Sequence, residues 1–175
     1  MKKGIKIAIS GKSGCGNSTV SKLVAEKLEL RMINYTFRQL AEEKGLEFWD
    51  LCEKAKDDFS YDRELDTKQV AMASGGDCVL GSRLAVWMLE KADLKIFLTA
   101  SAGTRAKRIH TREGGDYDEV LRITEDRDLN DSGRYRAIYD IDTDEHGFVD
   151  IVINTDRLDQ HQVSDIIVKA ASVLV

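Results

Sequence analysis

Gly11, Gly14 and Gly16 crowd one short stretch, and Lys12, Ser13, Cys15, Asn17, Ser18 and Thr19 fill in around them. A loop of this composition can turn successive backbone N–H groups into one concavity. A helix starting directly behind it adds roughly half a positive charge. The result is a main-chain site for phosphate oxygens. The glycines supply positive φ and close approach, and Ser18 holds the position whose hydroxyl ordinarily coordinates Mg²⁺. The spacing is that of a phosphate loop, Gly-x-x-x-x-Gly-Lys-Ser/Thr, except that Asn17 stands where the lysine belongs. Lys12, on the same loop, is the candidate to return an ammonium to the phosphates, and Asn17 keeps amide donors of its own.

Such a loop works only between a strand and a helix. Ile5, Ile7 and Ile9 alternate as a strand does, and Val20, Leu23, Val24 and Leu28 follow at helical spacing. Further along, Arg31 to Asn34 reads as a short second strand leading into Phe37-Arg38. Residues 37–75 carry apolar positions at helical spacing, which predicts two or three short helices inserted between strands. Gly75-Gly76-Asp77 ends them, and the short apolar runs 78–81, 93–99 and 149–154 predict three more strands. An arginine-rich helix from about Gly103 and a closing helix over 158–174 complete the pattern. Strands alternating with helices predict an α/β fold, a five-stranded parallel sheet with helices on both faces. Ligands then belong at the carboxyl ends of the strands. The phosphate loop, Phe37-Arg38 and Ser82-Arg83 all fall there.

Composition narrows the partners. A chain of 175 residues with 26 basic and 31 acidic side chains carries a net charge of −5, which argues against a broad grip on nucleic acid or an anionic membrane. Cys15, Cys52 and Cys78 have neither metal-ligand nor disulfide spacing and read as reduced thiols, Cys15 as loop filler. No stretch has the length and apolarity of a signal or a membrane span, so a cytoplasmic, monomeric chain is expected.

Arginines dominate the remaining candidates. Phosphoryl transfer between two nucleotides gathers negative charge, and the planar guanidinium binds phosphate with two parallel donors while staying ionised. Arg38 and Arg83 sit at strand ends, Arg105, Arg108 and Arg112 lie on one helix, and Arg122, Arg127, Arg134 and Arg136 follow. The stretch from Gly114-Gly115 to Ser132-Gly133 reads as a lid able to carry arginines over the phosphates.

Five segments in order then carry a resemblance. These are Phe37-Arg38-Gln39-Leu40-Ala41, Gly81 to Leu89, Ala92 to Leu98, Arg134 to Asp142, and Asp150 to Thr155. Over nearly its whole length the chain resembles the short, archaeal-type cytidylate kinases of the nucleoside monophosphate kinase family. The resemblance implies a three-layer P-loop kinase fold. Its core would be 1–36, 76–112 and 149–175, with a nucleotide-binding insertion at about 37–75 and a lid at about 113–140. It implies ATP and Mg²⁺ as cofactors and CMP or dCMP as acceptor. By the same likeness Gly11 to Thr19, Arg108, Arg112 and Asn154 would hold the donor, and Arg38, Asp66 and Arg83 the acceptor. Arg127 and Arg134 would meet the transferring group.

Two positions depart from that pattern, Asn17 for the loop lysine and Gly81 for a carboxylate, with Asp77 a candidate to replace the lost acid. Losing one transition-state contact costs about 10²- to 10³-fold in rate. Two other readings therefore stay open: a nucleotide-binding regulatory module with little turnover, and a P-loop kinase for another small acceptor. The lack of an Asn-Lys-x-Asp signature argues against a GTPase.

Overall fold

The alternating isoleucines form the middle of a sheet in the computed structural model, which describes residues 3–174. Strand β1 (Lys6–Gly11) runs through the phosphate loop into α1 (Asn17–Leu28), and β2 (Arg31–Ile33) follows. Three short helices come next, α2 (Phe37–Lys44), α3 (Phe48–Asp57) and α4 (Ser60–Ala73), before β3 (Cys78–Gly81) and the single turn α5 (Ala85–Met88). Then come β4 (Leu94–Thr99), α6 (Ala102–Glu113), the long α7 (Tyr117–Tyr139), β5 (Ile151–Asn154) and α8 (Gln160–Ser172).

The strand order is β2-β3-β1-β4-β5, and every pairing is parallel. Alternation along the strands divides the core in two. Ile7, Ile9, Ile96 and Leu98 pack with Val20 and Val24 of α1 and Val163 and Ile167 of α8. Ala8, Leu80 and Phe97 face the other way, onto Ala85, Val86 and Leu89. A separate cluster of Tyr35, Leu40, Ala41, Leu51 and Leu65 holds the three inserted helices together. The strand order reverses at β1, whose neighbours are β3 and β4, so the crevice for a ligand opens where the phosphate loop begins.

Caps fix where the site-bearing helices start. Thr36 and Gln39 form a capping box that begins α2 immediately after β2 and sets Arg38 in its first turn. Two of the boundaries that differ from expectation have a visible cause. The last strand begins at Ile151 because Val149 N–H turns back to the His146 carbonyl. Ser132-Gly133 does not end a lid segment, since α7 runs straight through it. Tyr135 and Ile138 are buried beyond that point and anchor the helix. Gly133 meets no neighbour, so its only cost is helix propensity, about 1 kcal/mol.

Candidate active site

The phosphate loop lies flush against α6. Gly14 has φ +84°, and a Cβ there would sit 2.8 Å from the Arg105 Cβ, so only glycine permits the approach. Arg105 Nη1 donates to the Ser13 carbonyl at 3.0 Å. Arg108 Nη1 donates to the Gly14 carbonyl at 3.3 Å and to Thr155 Oγ1 at 3.0 Å, and its Nη2 donates to the Thr155 carbonyl at 2.6 Å. Burial pushes the Cys15 thiol pKa up, with Arg105 and Arg108 partly opposing it, so Cys15 is packing and not a nucleophile. At the start of α1, Asn17 Oδ1 accepts the Ser18 N–H at 2.9 Å. The residue replacing the lysine thus occupies one of the helix-terminal donors that phosphate oxygens use.

Above the loop is a cavity of about 1060 Å³, lined by the loop and by chain-distant segments. Sites for one small ligand span roughly 300–1,000 Å³, so this one stands at the large end of that range. Arg38 reaches into it from α2, its guanidinium 4.5 Å from the centre of the Phe48 ring. Arg83 Nε pairs with Asp131 on α7 at 3.1 Å and shares a hydrogen bond with Tyr135. Burial by itself would lower the Arg83 pKa, but Tyr135 and Asp131 outweigh it and the net direction is up. Arg127 goes the other way, lowered first by partial desolvation and then by Arg83 beside it. Two cations that repel across a cavity wall favour an anion between them.

The far end is built on one face of α4. Asp62, Asp66 and Gln69 all line the cavity and are buried. Burial pushes the Asp66 carboxyl up to about 6, Asp62 adds to the rise, and the Tyr139 hydroxyl opposes it by donating to Oδ2 at 2.6 Å. Gln69 Nε2 donates to the Tyr35 carbonyl at 2.7 Å, which aims its side-chain amide.

Most expected residues meet here: Gly11, Ser13 to Thr19, Arg38, Asp66, Arg83, Arg108, Arg112 and Arg127 all line the one cavity. Four do not. Lys12 Nζ pairs with Asp144 at 2.8 Å and lies outside the lining. Arg134 is also outside. Its Nε donates to Asp62 Oδ1 at 3.0 Å, and its Nη2 pairs with the other oxygen and donates to the Ala55 carbonyl at 2.7 Å. Asn154 Oδ1 accepts the Asp156 N–H at 2.8 Å, and the neighbouring Thr155, Asp156 and Arg157 line the cavity in its stead. Asp77 accepts the Gly4 N–H at the opening of β3, the wrong end of the sheet for a metal-organising acid.

Gly81 does line the cavity, and its lack of a side chain has a steric reason. A Cβ there would fall 2.4 Å from Ser21 Oγ. The Ser21 and Ser82 hydroxyls are both buried without a hydrogen-bond partner. Sequence reasoning missed Asp62, Gln69 and Phe48. Asp62, Asp66 and Gln69 repeat at i, i+4 and i+7, and that spacing was a signal of a shared polar face.

Comparisons agree with this geometry. A family model described as the cytidylate kinase-like family matches residues 6–157. "Cytidylate kinase 2" of Borreliella afzelii (strain PKo) is 46% identical over 167 residues, 93% of this chain and 94% of that protein. "Cytidylate kinase" of Methanocaldococcus jannaschii is 37% identical over 94% of this chain and 96% of its own length. Among solved structures, shikimate kinase from Bacteroides thetaiotaomicron superposes with a TM-score of 0.65 at 15% identity, covering 97% of this chain and 99% of that one. Deoxyadenosine kinase from M. mycoides with bound dATP gives 0.58 at 20% identity, covering 96% of this chain and 100% of that one. Those two likenesses concern the fold, a five-stranded parallel α/β sheet of the P-loop kinase kind. On the match of the family model and the full-length relatives, the chain belongs to the cytidylate kinase-like family.

Proposed function

We propose that the protein is a nucleoside monophosphate kinase that moves the γ-phosphoryl group of ATP to CMP or dCMP. The observation that carries this reading is the continuous cavity. The phosphate loop floors one end, α4 and Phe48 wall the other, and Arg38, Arg83 and Arg127 stand along it. Relatives named cytidylate kinase, similar over nearly the whole chain, support the choice of acceptor.

In-line transfer asks a protein for alignment, charge neutralisation and exclusion of water. Loop amides and the α1 terminus hold the donor phosphates, with Arg112 reaching them from α6. Arg38 and Arg83 take the acceptor phosphate in bidentate fashion, and Arg127 neutralises the charge shared between the two nucleotides. Asp66 and Gln69 face the acceptor nucleoside. Arg134 acts on them indirectly, through Asp62. The α6–α7 hairpin is the lid, and Gly114 and Gly115, both at positive φ, are its hinge.

The site suits a cation that arrives with its substrate. Among the described residues no cluster of three His, Cys, Asp or Glu could hold a metal, yet Ser18 is exposed at the α1 terminus and the Ser82 hydroxyl lacks a partner. Mg²⁺ held by Ser18 and the donor phosphates would neutralise charge on the transferring group. Among the described residues no helix is long and apolar enough to cross a membrane, and a monomer working in the cytosol fits a small-molecule kinase.

Following ADP release with CMP, dCMP, UMP, AMP and small alcohols as acceptors tests the reading. CMP and dCMP should be the preferred acceptors. Turnover only with an alcohol overturns the choice of acceptor. Tight nucleotide binding without turnover favours the regulatory-module reading, which rests on the Asn17 oxygen held by the Ser18 amide.

A further inference from the structure

The strongest unexplained group near the site is a buried cation that never reaches the cavity. Arg105 is 3% exposed. Its guanidinium forms a fork with Asp128 of α7, at 3.0 Å to Oδ1 and 2.5 Å to Oδ2. That pair alone compensates the buried charge. Two further bonds go to main chain, Nε to the Ala100 carbonyl at 3.3 Å and Nη1 to the Ser13 carbonyl at 3.0 Å.

The Ser13 bond has a geometric consequence. In a planar trans peptide the carbonyl of one residue and the N–H of the next point in opposite directions. Drawing the Ser13 oxygen toward the Arg105 guanidinium therefore turns the Gly14 N–H the opposite way. Gly14 packs closely enough on α6 that an added Cβ would fall 2.8 Å from the Arg105 Cβ and 3.0 Å from its Cα. Asp128 fixes the angle of the fork from α7, so a single residue, Arg105, links the helix read as the lid to the loop.

We propose that Arg105 is a positioning residue: it holds the phosphate loop in its binding shape from behind and relays the position of α7 to it through Asp128. Its guanidinium sits behind a loop that has Asn17 in the usual lysine position, and its donors go to Asp128 and to two main-chain carbonyls. The inference rests on reading the loop as the donor-phosphate site and is independent of which acceptor is used.

The test compares wild type with Arg105→Lys, which keeps the charge and loses the fork, and with Asp128→Asn, which keeps the shape and loses the ion pair. Calorimetric titration with ADP, and separately with CMP, is combined with amide hydrogen exchange over residues 13–18 and thermal melting. Both variants should weaken ADP about tenfold, the worth of one charge-assisted hydrogen bond, leave CMP affinity unchanged and speed exchange in the loop. A residue that only supports the fold would lower the melting temperature and leave the ratio of the two affinities where it was, overturning the proposal. Variants that bind ADP as wild type does also overturn it while leaving the donor site intact. A wild type that binds CMP but not ADP overturns both the inference and the reading beneath it.

Discussion

Asn17 replaces a long flexible cation with a short amide whose oxygen turns back onto its own helix terminus. The exchange removes a charge and also engages a donor that the donor nucleotide would otherwise use. Asn17→Lys should accordingly raise kcat at least about tenfold in a steady-state assay with ATP and CMP, because one restored transition-state contact is worth about 10²- to 10³-fold. Lys12→Ala tests the other cation of the loop. Its pair with Asp144 is solvent-accessible, the two side chains being 34% and 70% exposed, so stability should fall by less than about 1 kcal/mol with turnover nearly unchanged. A collapse of kcat in Lys12→Ala would show instead that the ammonium leaves Asp144 for the phosphates. The loop was legible because its chemistry is local, with glycine spacing, strand and helix all contiguous. Where Lys12 points was not, since its partner lies more than a hundred residues away.

Between elements, the contact of α1 with β3 decides what position 81 can be. A Cβ on Gly81 would lie 2.4 Å from Ser21 Oγ and 2.7 Å from Ser21 Cβ, so truncating the hydroxyl alone gives no relief. Gly81→Ala should cost about 1–3 kcal/mol in urea denaturation, the usual penalty for overpacking. Adding Ser21→Gly should recover part of it, less the roughly 1 kcal/mol that glycine costs inside a helix. Simple additivity of the two changes would mean that the backbone moves to make room. The same packing explains why no acid is available at this end of β3: Ser21 fills the space from which it would start.

Strands β1, β3 and β4 were readable because each is a short apolar run buried on both faces, whereas the edge strands β2 and β5 carry exposed positions. The full reach of α7 was not, because Ser132-Gly133 resembles a break and the anchors beyond it, Tyr135 and Ile138, take effect only through tertiary contacts. Trp49, an apolar residue at helical spacing, proves 77% exposed, while its neighbour Phe48 is the one that lines the cavity. Periodicity finds a helix but does not say which face a separate cluster will cover.

Across the whole molecule, the inserted helices and α7 are fastened at two points, Asp62 to Arg134 and Asp66 to Tyr139. Neither pair could be read from the sequence, because the partners are more than seventy residues apart and only the folded sheet brings their helices together. The second pair carries a pH signature. A carboxyl whose pKa rises on folding from 3.8 to about 6 binds its proton more tightly when folded. Its contribution is complete below about pH 4 and is lost as pH climbs through 6, amounting to up to about 3 kcal/mol by pH 7. Asp66→Asn keeps an acceptor for the Tyr139 hydroxyl and removes the titration. Its melting temperature should exceed that of wild type at pH 7 and flatten between pH 4 and 6. An unchanged pH profile would assign the titration to other groups.

Asp62 and Asp66 each show one side to the cavity while Arg134 and Tyr139 hold the other. An occupant at that end and the long helix behind it therefore draw on the same carboxylates. On the proposed reading, an acceptor entering there would have to share Asp62 with Arg134 and Asp66 with Tyr139, so its arrival would tug on the long helix.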